Sequence, residues 1–541
     1  MPTLDWIGKK AVLNHHREVP FHLLKEVPEL SAGEADSGNL LVEGDNLLAL
    51  KALLPYYAGQ VKCIYIDPPY NTGNENWIYN DAVNSPEMRN WLGKVVGGEA
   101  EDLSRHDKWL CMMYPRLALL REFLREDGAI FISIADHEVA NLRLLMDEIF
   151  SPRNFVATVI WQKVYSPKSS AKHFSEDHDY IVVYAKNAEV WRPHLIPRTE
   201  EQDKRYKNPD NDPRGPWKTS DLSARNPYSL GIYAIAGPTG RVISGPPKGM
   251  YWRVSEEKFH QMDKDNRIWW GKNGDSIPQI KRFLSEVKQG VVPQTLWSYQ
   301  EVGHTQDAKK ELLAICDFED SASVFITPKP LRLLQRILQI AADKDSLILD
   351  SFAGSGTTGH AVLATNEADG GNRRFILIEM EPGICREVTA QRLRRAVSGY
   401  ETGSGNSKII DGLDGGFRYC RLGTPLFDDL GNIAPEVSFS DLAAHVYFAE
   451  TGQPLPNTES NAGKTPLLGV HNGVAVYLLF NGILGDKTVN GGNILTSSVL
   501  ATLPVHGGPK VIYGEGSRLR GDRLRRENIV FKQIPYAIKV G

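Results

Sequence analysis

Apolar runs and amphipathic segments alternate in two stretches of the chain and give way to another pattern between them. In residues 40–150, Val61–Ile66 reads as a short buried strand, stopped by Asp67-Pro68-Pro69-Tyr70. Apolar residues from 109 to 124 recur at helical spacing, and 128–134 reads as a second buried strand. Asp136 then stands where a helix N-cap belongs, with the helix running to about Phe150. Strand, helix and strand at this pitch predict a parallel α/β sheet. The pattern returns at 331–400. A strand at 346–350 leads into a glycine-rich turn, a helix starts at about Thr357, and the next strand covers 373–379. Residues 402–407, Thr-Gly-Ser-Gly-Asn-Ser, read as a linker. A last α/β module beyond them ends in a strand-like run at 528–535, and no internal repeat is visible.

Residues 161–300 break the alternation. They hold 22 Lys+Arg against 16 Asp+Glu and 18 of the 49 aromatics, with proline- and glycine-rich breaks at 208–213, 237–240 and 245–247. A basic, aromatic, loop-rich insert suits a nucleic-acid surface, and equally a β-rich insert with ordinary core aromatics. The chain as a whole, 541 residues with a net charge of −4, is no polycation, so any nucleic-acid surface is local. At 41% hydrophobic and 24% charged, the composition excludes a disordered or collagenous chain. Five well-separated cysteines, with no Cys-x-x-Cys, suggest neither a disulfide framework nor a zinc site, and no metal is expected. A reducing cytoplasm is the simplest compartment. The first residues show no signal pattern, and no apolar run nears the roughly 18 residues that span a bilayer.

Two constellations carry chemistry. In the first, Asp350-Ser-Phe352-Ala-Gly354-Ser-Gly356-Thr357-Thr-Gly359 follows a strand and opens a helix. Its glycines let backbone approach a ligand closely, and the helix start offers free N–H groups. Glu379 ends the next strand, where a carboxylate accepts hydrogen bonds from a ribose diol. The pattern does not separate NAD or FAD from another adenosine ligand. Phe352, an apolar contact that a phosphate would not need, slightly favours one whose charged end is an ammonium-carboxylate over a pyrophosphate.

In the second, two prolines at the end of a buried strand remove two N–H donors. They leave the Asp67 carboxylate and the Pro68 carbonyl as acceptors facing a cleft. An exocyclic amine donates two N–H bonds, and accepting both turns its lone pair toward an electrophile. Tyr70 offers a flat face for a base removed from its helix.

Taken together, the two constellations resemble those of the DNA adenine-N6 methyltransferases. The amine motif of that family is Asp-Pro-Pro-Tyr and its cofactor motif is Phe-x-Gly-x-Gly. Amine motif first, insert next and cofactor motif last is the order of the beta group. Further stretches look like the Mod subunits of type III restriction–modification systems. They are Glu43-Gly-Asp45-Asn, Asp67 through Gly73, Trp109 through Pro115-Arg-Leu117, and Asp127-Gly-Ala-Ile-Phe-Ile-Ser-Ile134. Thr327-Pro-Lys329-Pro330 and Gly416-Phe-Arg-Tyr419 belong with them. The likeness covers most of residues 40–400.

The resemblance implies a Rossmann-like methyltransferase sheet with permuted motif order. The expected divisions are a catalytic half at 1–160, a target-recognition domain at 161–320, a cofactor half at 321–400, and a C-terminal α/β module at 401–541. Asp67, Pro68, Pro69 and Tyr70 would hold a flipped adenine. Asp45, Asp350, Phe352, Gly354, Gly356, Thr357 and Glu379 would bind S-adenosylmethionine, Glu379 through the ribose. Thr327 and Lys329 would close over the methionine end, with Lys329 pairing its carboxylate. The implied reaction is in-line transfer of the sulfonium methyl to the adenine N6 lone pair, with S-adenosylhomocysteine leaving. The resemblance also implies double-stranded DNA as substrate, pairing of the chain as a dimer, and a separate Res subunit that cuts and translocates.

Three rivals stand beside it. A cytosine-N4 methyltransferase shares the chemistry but usually carries Ser-Pro-Pro-Tyr. A Rossmann NAD-binding oxidoreductase explains the glycine turn and leaves the Asp67 corner unexplained. A non-enzymatic DNA-recognition subunit binds without methylating. Ala462-Gly-Lys-Thr465 is rejected as a phosphate loop because Thr458 stands where its first glycine belongs.

Overall fold

The computed structural model describes residues 4–34, 37–72, 93–94, 104–288, 290–318, 327–402, 408–428, 432–456, 465–482, 488 and 491–538. Gly73 of the motif that starts at Asp67, the linker residues 403–407, and positions 458 and 462–464 lie outside them. The chain divides into two compact units, one made of Met1–Pro193 and Gln294–Gly541, the other of His194–Pro293.

The larger unit is built on one sheet. Its strands are β1 (His22–Glu26), β2 (Ala32–Gly33), β3 (Leu40–Glu43), β4 (Val61–Ile66), β5 (Leu124–Ile134), β6 (Phe155–Gln162), β7 (His178–Ala185), β8 (Leu296–Trp297), β9 (Leu347–Asp350), β10 (Arg374–Glu379) and β11 (Gly416–Pro425). The order across the sheet is β1-β11-β3-β10-β9-β4-β5-β7-β6-β8, with β2 beside β11. From β11 through β5 every neighbour is parallel, whereas β7 runs antiparallel to both β5 and β6. The sheet therefore joins two halves of the sequence at its middle, where Leu349 of β9 lies against Ile64 of β4.

Helices cover both faces, which is why β4 and β9 are buried at every position rather than alternating, with Lys62 and Asp350 the charged exceptions in otherwise largely apolar runs. Helices α1 (Asn46–Tyr57), α2 (Arg105–Phe123) and α3 (Asp136–Phe150) share a core with Ile376 and Ile378 of β10. On the other face lie α4 (Leu331–Ala341), α5 (Thr357–Asp369) and α6 (Ala390–Ser398). There Gly359 lets α5 approach closely. A Cβ at that position would meet Leu393 Cδ2 at 2.8 Å and Leu377 Cδ1 at 2.9 Å.

Several boundaries differ from the sequence reading. Helix α2 starts four residues before Trp109, because Ser104 and Asp107 form a capping box there. Strand β5 starts at Leu124, since the chain passes straight from α2 into it. Ala135, not Asp136, occupies the cap of α3, and the Asp136 carboxylate instead accepts from the Tyr180 hydroxyl at 3.1 Å. The insert was read as 161–320. The compact unit within it is His194–Pro293, and β7 and β8 belong to the main sheet.

That smaller unit contains a three-stranded sheet and a core around Leu222, Trp252, Phe259 and Ile280. Of the stretch read as the C-terminal module, β11 joins the main sheet. The strands Leu467–His471, Val474–Leu478, Lys510–Gly514 and Ile529–Gln533 form a separate four-stranded sheet, beside the Phe439–Thr451 helix. Among the described residues no helix is long and apolar enough to cross a membrane.

Candidate active site

In a parallel α/β sheet, ligands collect beyond the carboxyl ends of the strands, where the order of connection reverses. Here that place lies between β4 and β9, whose ends carry the two sequence constellations. A cleft opens there. Its lining includes Asp67, Thr327, Lys329, Asp350, Phe352, Gly354 and Thr357, so the amine corner and the glycine turn share one cavity.

The glycine turn is held from both sides. Gly354 (φ 52°) and Gly356 (φ 74°) both take left-handed backbone, which an L side chain resists. The Gly354 N–H donates to Glu379 Oε2 at 2.8 Å, and the Glu381 N–H donates to Glu379 Oε1 at 2.9 Å. Glu379 thus fixes the turn through backbone and lies outside the cleft lining. Beneath the turn, Thr389 Oγ1 donates to the Gly354 carbonyl, and buried Arg392 reaches Thr357 Oγ1 at 2.7 Å and Ser355 Oγ at 3.3 Å. Burial lowers the Arg392 guanidinium below its ordinary value. Asp350 is fully buried at the root of the turn, and its carboxyl accepts from the Thr358 hydroxyl and from the Phe352 N–H at 3.0 Å. Desolvation pushes its pKa up to about 7, against those hydrogen bonds.

The Asp67 corner is held with equal care. Trp109 Nε1 donates to the Pro69 carbonyl at 2.7 Å. Asn71, in left-handed backbone, donates to buried Glu138, which also pairs with His106 Nδ1 at 2.6 Å and accepts from Asn141 at 2.8 Å. The second oxygen of Asp67, Oδ1, and the Tyr70 hydroxyl are buried with no hydrogen-bond partner. Burial, then the nearby Asp67 charge, raises the Tyr70 phenol well above its ordinary value. Unpaired polar atoms at a cleft are costly unless a ligand meets them.

Lys329 joins the two constellations. Its ammonium pairs with Asp67 Oδ2 and lies 5.2 Å from the centre of the Tyr70 ring. Its backbone carbonyl accepts from Thr357 Oγ1 at 3.2 Å. The sequence reading had assigned this lysine to the methionine carboxylate, and here its partner is the amine-site aspartate. Asp45 is also placed otherwise than expected. It caps α1, accepting from Leu47 and Leu48 N–H at 2.9 and 3.1 Å, and pairs with Arg116 at 3.1 Å. It is not among the residues lining the cleft. Pro68, Pro69, Tyr70 and Gly356 are not among the residues lining the cleft.

Sequence reasoning missed Glu138, Asp179 and Arg392, whereas Asn71 stands in the 67–73 stretch without a role given to it. Asp179 on β7 pairs with Lys163 at 2.6 Å and is raised by burial, with further influence from Lys329 and Asp67. No local motif marks these residues, because their partners lie far away in sequence. Arg116 had a signal in the 109–117 stretch. It donates to Asn46, whose amide donates to the Ser351 carbonyl at 3.0 Å, linking α2 to the glycine turn.

Comparison with known proteins agrees with this geometry. The StyLTI Mod subunit, a type III restriction-modification enzyme of Salmonella typhimurium strain LT2, is 34% identical over 84% of this chain and 71% of its own. The EcoPI Mod subunit of Escherichia phage P1 is 32% identical over 76% of this chain and 71% of its own. The type II methyltransferase M.KpnI of Klebsiella pneumoniae is 30% identical over 68% of this chain and 87% of its own. The N6/N4 DNA methylase family model matches residues 61–391, which span both halves of the cleft, and the chain belongs to that family.

Proposed function

We propose that this chain is the modification subunit of a type III restriction–modification system and transfers a methyl group from S-adenosylmethionine to the N6 amine of a flipped adenine in double-stranded DNA. One observation carries the reading. Asp67 and Gly354 line the same cleft, so an amine acceptor and a cofactor turn face each other. That the cofactor fits is supported by the cleft itself, whose lining includes the left-handed Gly354, Phe352 beside it, and Asp67 with an orphaned carboxylate oxygen.

S-adenosylmethionine supplies an electrophilic methyl at this cleft. The chain's residues do the rest by placement. The Asp67 carboxylate and the Pro68 carbonyl accept the two amine protons and orient the lone pair. Tyr70 stacks on the purine. The glycine turn, shaped from behind by Glu379, holds the adenosine end, Thr327 lies over the methionine end, and Lys329 steadies Asp67. Asp67 needs no raised basicity, because the amine becomes acidic only as the methyl transfers. The His194–Pro293 unit, with 17 Lys+Arg against 12 Asp+Glu, reads the DNA target. A second chain and a Res subunit complete the assembly, and the cytoplasm is its compartment.

A second reading has support of its own. M.KpnI is matched over 87% of its length, more than either Mod subunit, which fits a methyltransferase that works without Res.

The test is incubation of the purified chain with DNA and labelled cofactor, followed by mass spectrometry of the nucleosides. N6-methyladenine is expected, and N4-methylcytosine would move the assignment to the cytosine amine. Asp67→Ala should keep cofactor binding and lose transfer; substantial residual turnover in that variant sinks the reading. Co-purification with a Res-type subunit separates the type III assignment from the solitary one.

A further inference from the structure

The hairpin that joins β6 to β7 leaves the sheet at the same edge as the active site. Ile134, the last residue of β5, pairs with Tyr180 near the start of β7, so the 163–177 connection projects beyond the carboxyl ends of the parallel strands. Its base is anchored. Lys163 pairs with Asp179, its carbonyl accepts from the Thr305 N–H at 3.1 Å, and Tyr165 stacks on His304 with ring centres 5.2 Å apart. Its tip is closed by the Lys168 N–H donating to Ser175 Oγ at 2.8 Å. Residues 165–175 contain Lys168, Lys172 and His173, all three exposed, and no acidic residue, with Glu176 and Asp177 at the foot of the hairpin. Beside them Phe174 is 93% exposed. A single exposed phenyl is ordinary on a surface; this one stands on a formed hairpin, among exposed basic side chains, at the sheet edge that carries the cleft.

Resting on the methyltransferase reading above, we propose that this hairpin is a DNA-engaging wedge, with Phe174 entering the base stack beside the extruded adenine while Lys168 and Lys172 meet the flanking phosphates. Three observations converge on duplex DNA as the occupant. The cations match a phosphate backbone. The hairpin is rooted at Asp179, beside the cleft that must receive the base. Extrusion leaves a gap in the stack, and apolar side chains fill such gaps in proteins that unstack DNA.

The experiment uses the full chain and an oligoduplex built on the site read from the methylome of a host that expresses it. Phe174→Ala should leave S-adenosylmethionine binding unchanged, because the ring lies outside the cleft lining. Its methylation rate on the paired target should fall by about tenfold or more, since unstacking is no longer compensated. The rate should recover to within about threefold of wild type when the target adenine stands opposite an abasic position, where extrusion costs less. Phe174→Trp should retain the duplex rate. An unchanged duplex rate in Phe174→Ala overturns the proposal. An equal loss on both substrates overturns it too, as does a loss traced to dissociation of a second copy of the chain. Wild-type chain that methylates no DNA overturns the methyltransferase reading itself and is thereby told apart from a failure of the wedge.

Discussion

Lys329 and Asp67, 262 positions apart in sequence, form a partly buried ion pair at the centre of the cleft. The pair ties the segment over the cofactor end to the residue that faces the amine. On the proposed reading, whatever binds beside Lys329 would alter the surroundings of Asp67 through this one ammonium.

That relationship sets the first prediction. Removing Lys329 alone leaves the Asp67 charge in a largely dry site, and Lys329→Met should cost about 1–3 kcal/mol of stability. The double variant Asp67→Asn/Lys329→Met should cost less than Lys329→Met alone, because neither partner is left charged. Urea unfolding of the wild type and the variants gives the coupling, and strict additivity would show that the pair contributes nothing.

Glu379 sets the second. Its carboxylate accepts two backbone N–H groups that shape the glycine turn. Glu379→Gln keeps the size, loses the charge and turns one acceptor into a donor. Loss of one charge-assisted hydrogen bond weakens binding by about 10- to 100-fold. Calorimetric titration with S-adenosylmethionine should show that drop, with the far-ultraviolet spectrum of the fold unchanged.

Two glycines give a paired comparison. Gly356 (φ 74°) and Gly370 (φ 65°) both take left-handed backbone, which costs an alanine about 1–2 kcal/mol. At Gly370 an added Cβ meets nothing within 4 Å, whereas at Gly356 it stands 3.1 Å from Thr389 Cγ2. Gly356→Ala should therefore lower the melting temperature more than Gly370→Ala, and it alone should weaken cofactor binding.

Asp350 predicts a pH dependence. Burial raises its folded pKa to about 7, while the unfolded carboxyl releases its proton near pH 4. The folded state then prefers the protonated form, and the stability this confers is present below about pH 4 and lost as the pH rises toward 7. Asp350→Asn has no proton to lose. The stability difference between variant and wild type should move in the variant's favour from pH 4 to pH 7, by on the order of 1–3 kcal/mol. Thermal unfolding across that range measures it, and a flat difference would mean that Asp350 is ionised throughout.

Much was legible before folding was considered. Val61–Ile66 is legible to the residue, because a mostly apolar run stopped by Asp67 and two prolines has one structural meaning. The helix start at Thr357 followed in the same way from the glycine turn. Asp136 was misplaced by one position because its side chain caps nothing and serves Tyr180 instead, a partner on another strand. The limits of the insert were drawn from composition, which does not register that β7 is apolar enough to join the main sheet.

The sequence by itself determined the chemical parts. It contains a proline-stiffened acceptor corner, a glycine turn with an acid on the next strand, and an order of motifs that names a family. Only the tertiary structure decided how the parts meet. Parallel pairing of β4 with β9 brought Asp67 to Gly354, the ion pair turned Lys329 toward Asp67, and helix capping took Asp45 away from the cleft. The reason is physical. Local chemistry depends on neighbours along the chain, which a sequence displays. Pairing, burial and the partner of a charge depend on neighbours in space, which exist only once the sheet has closed around them.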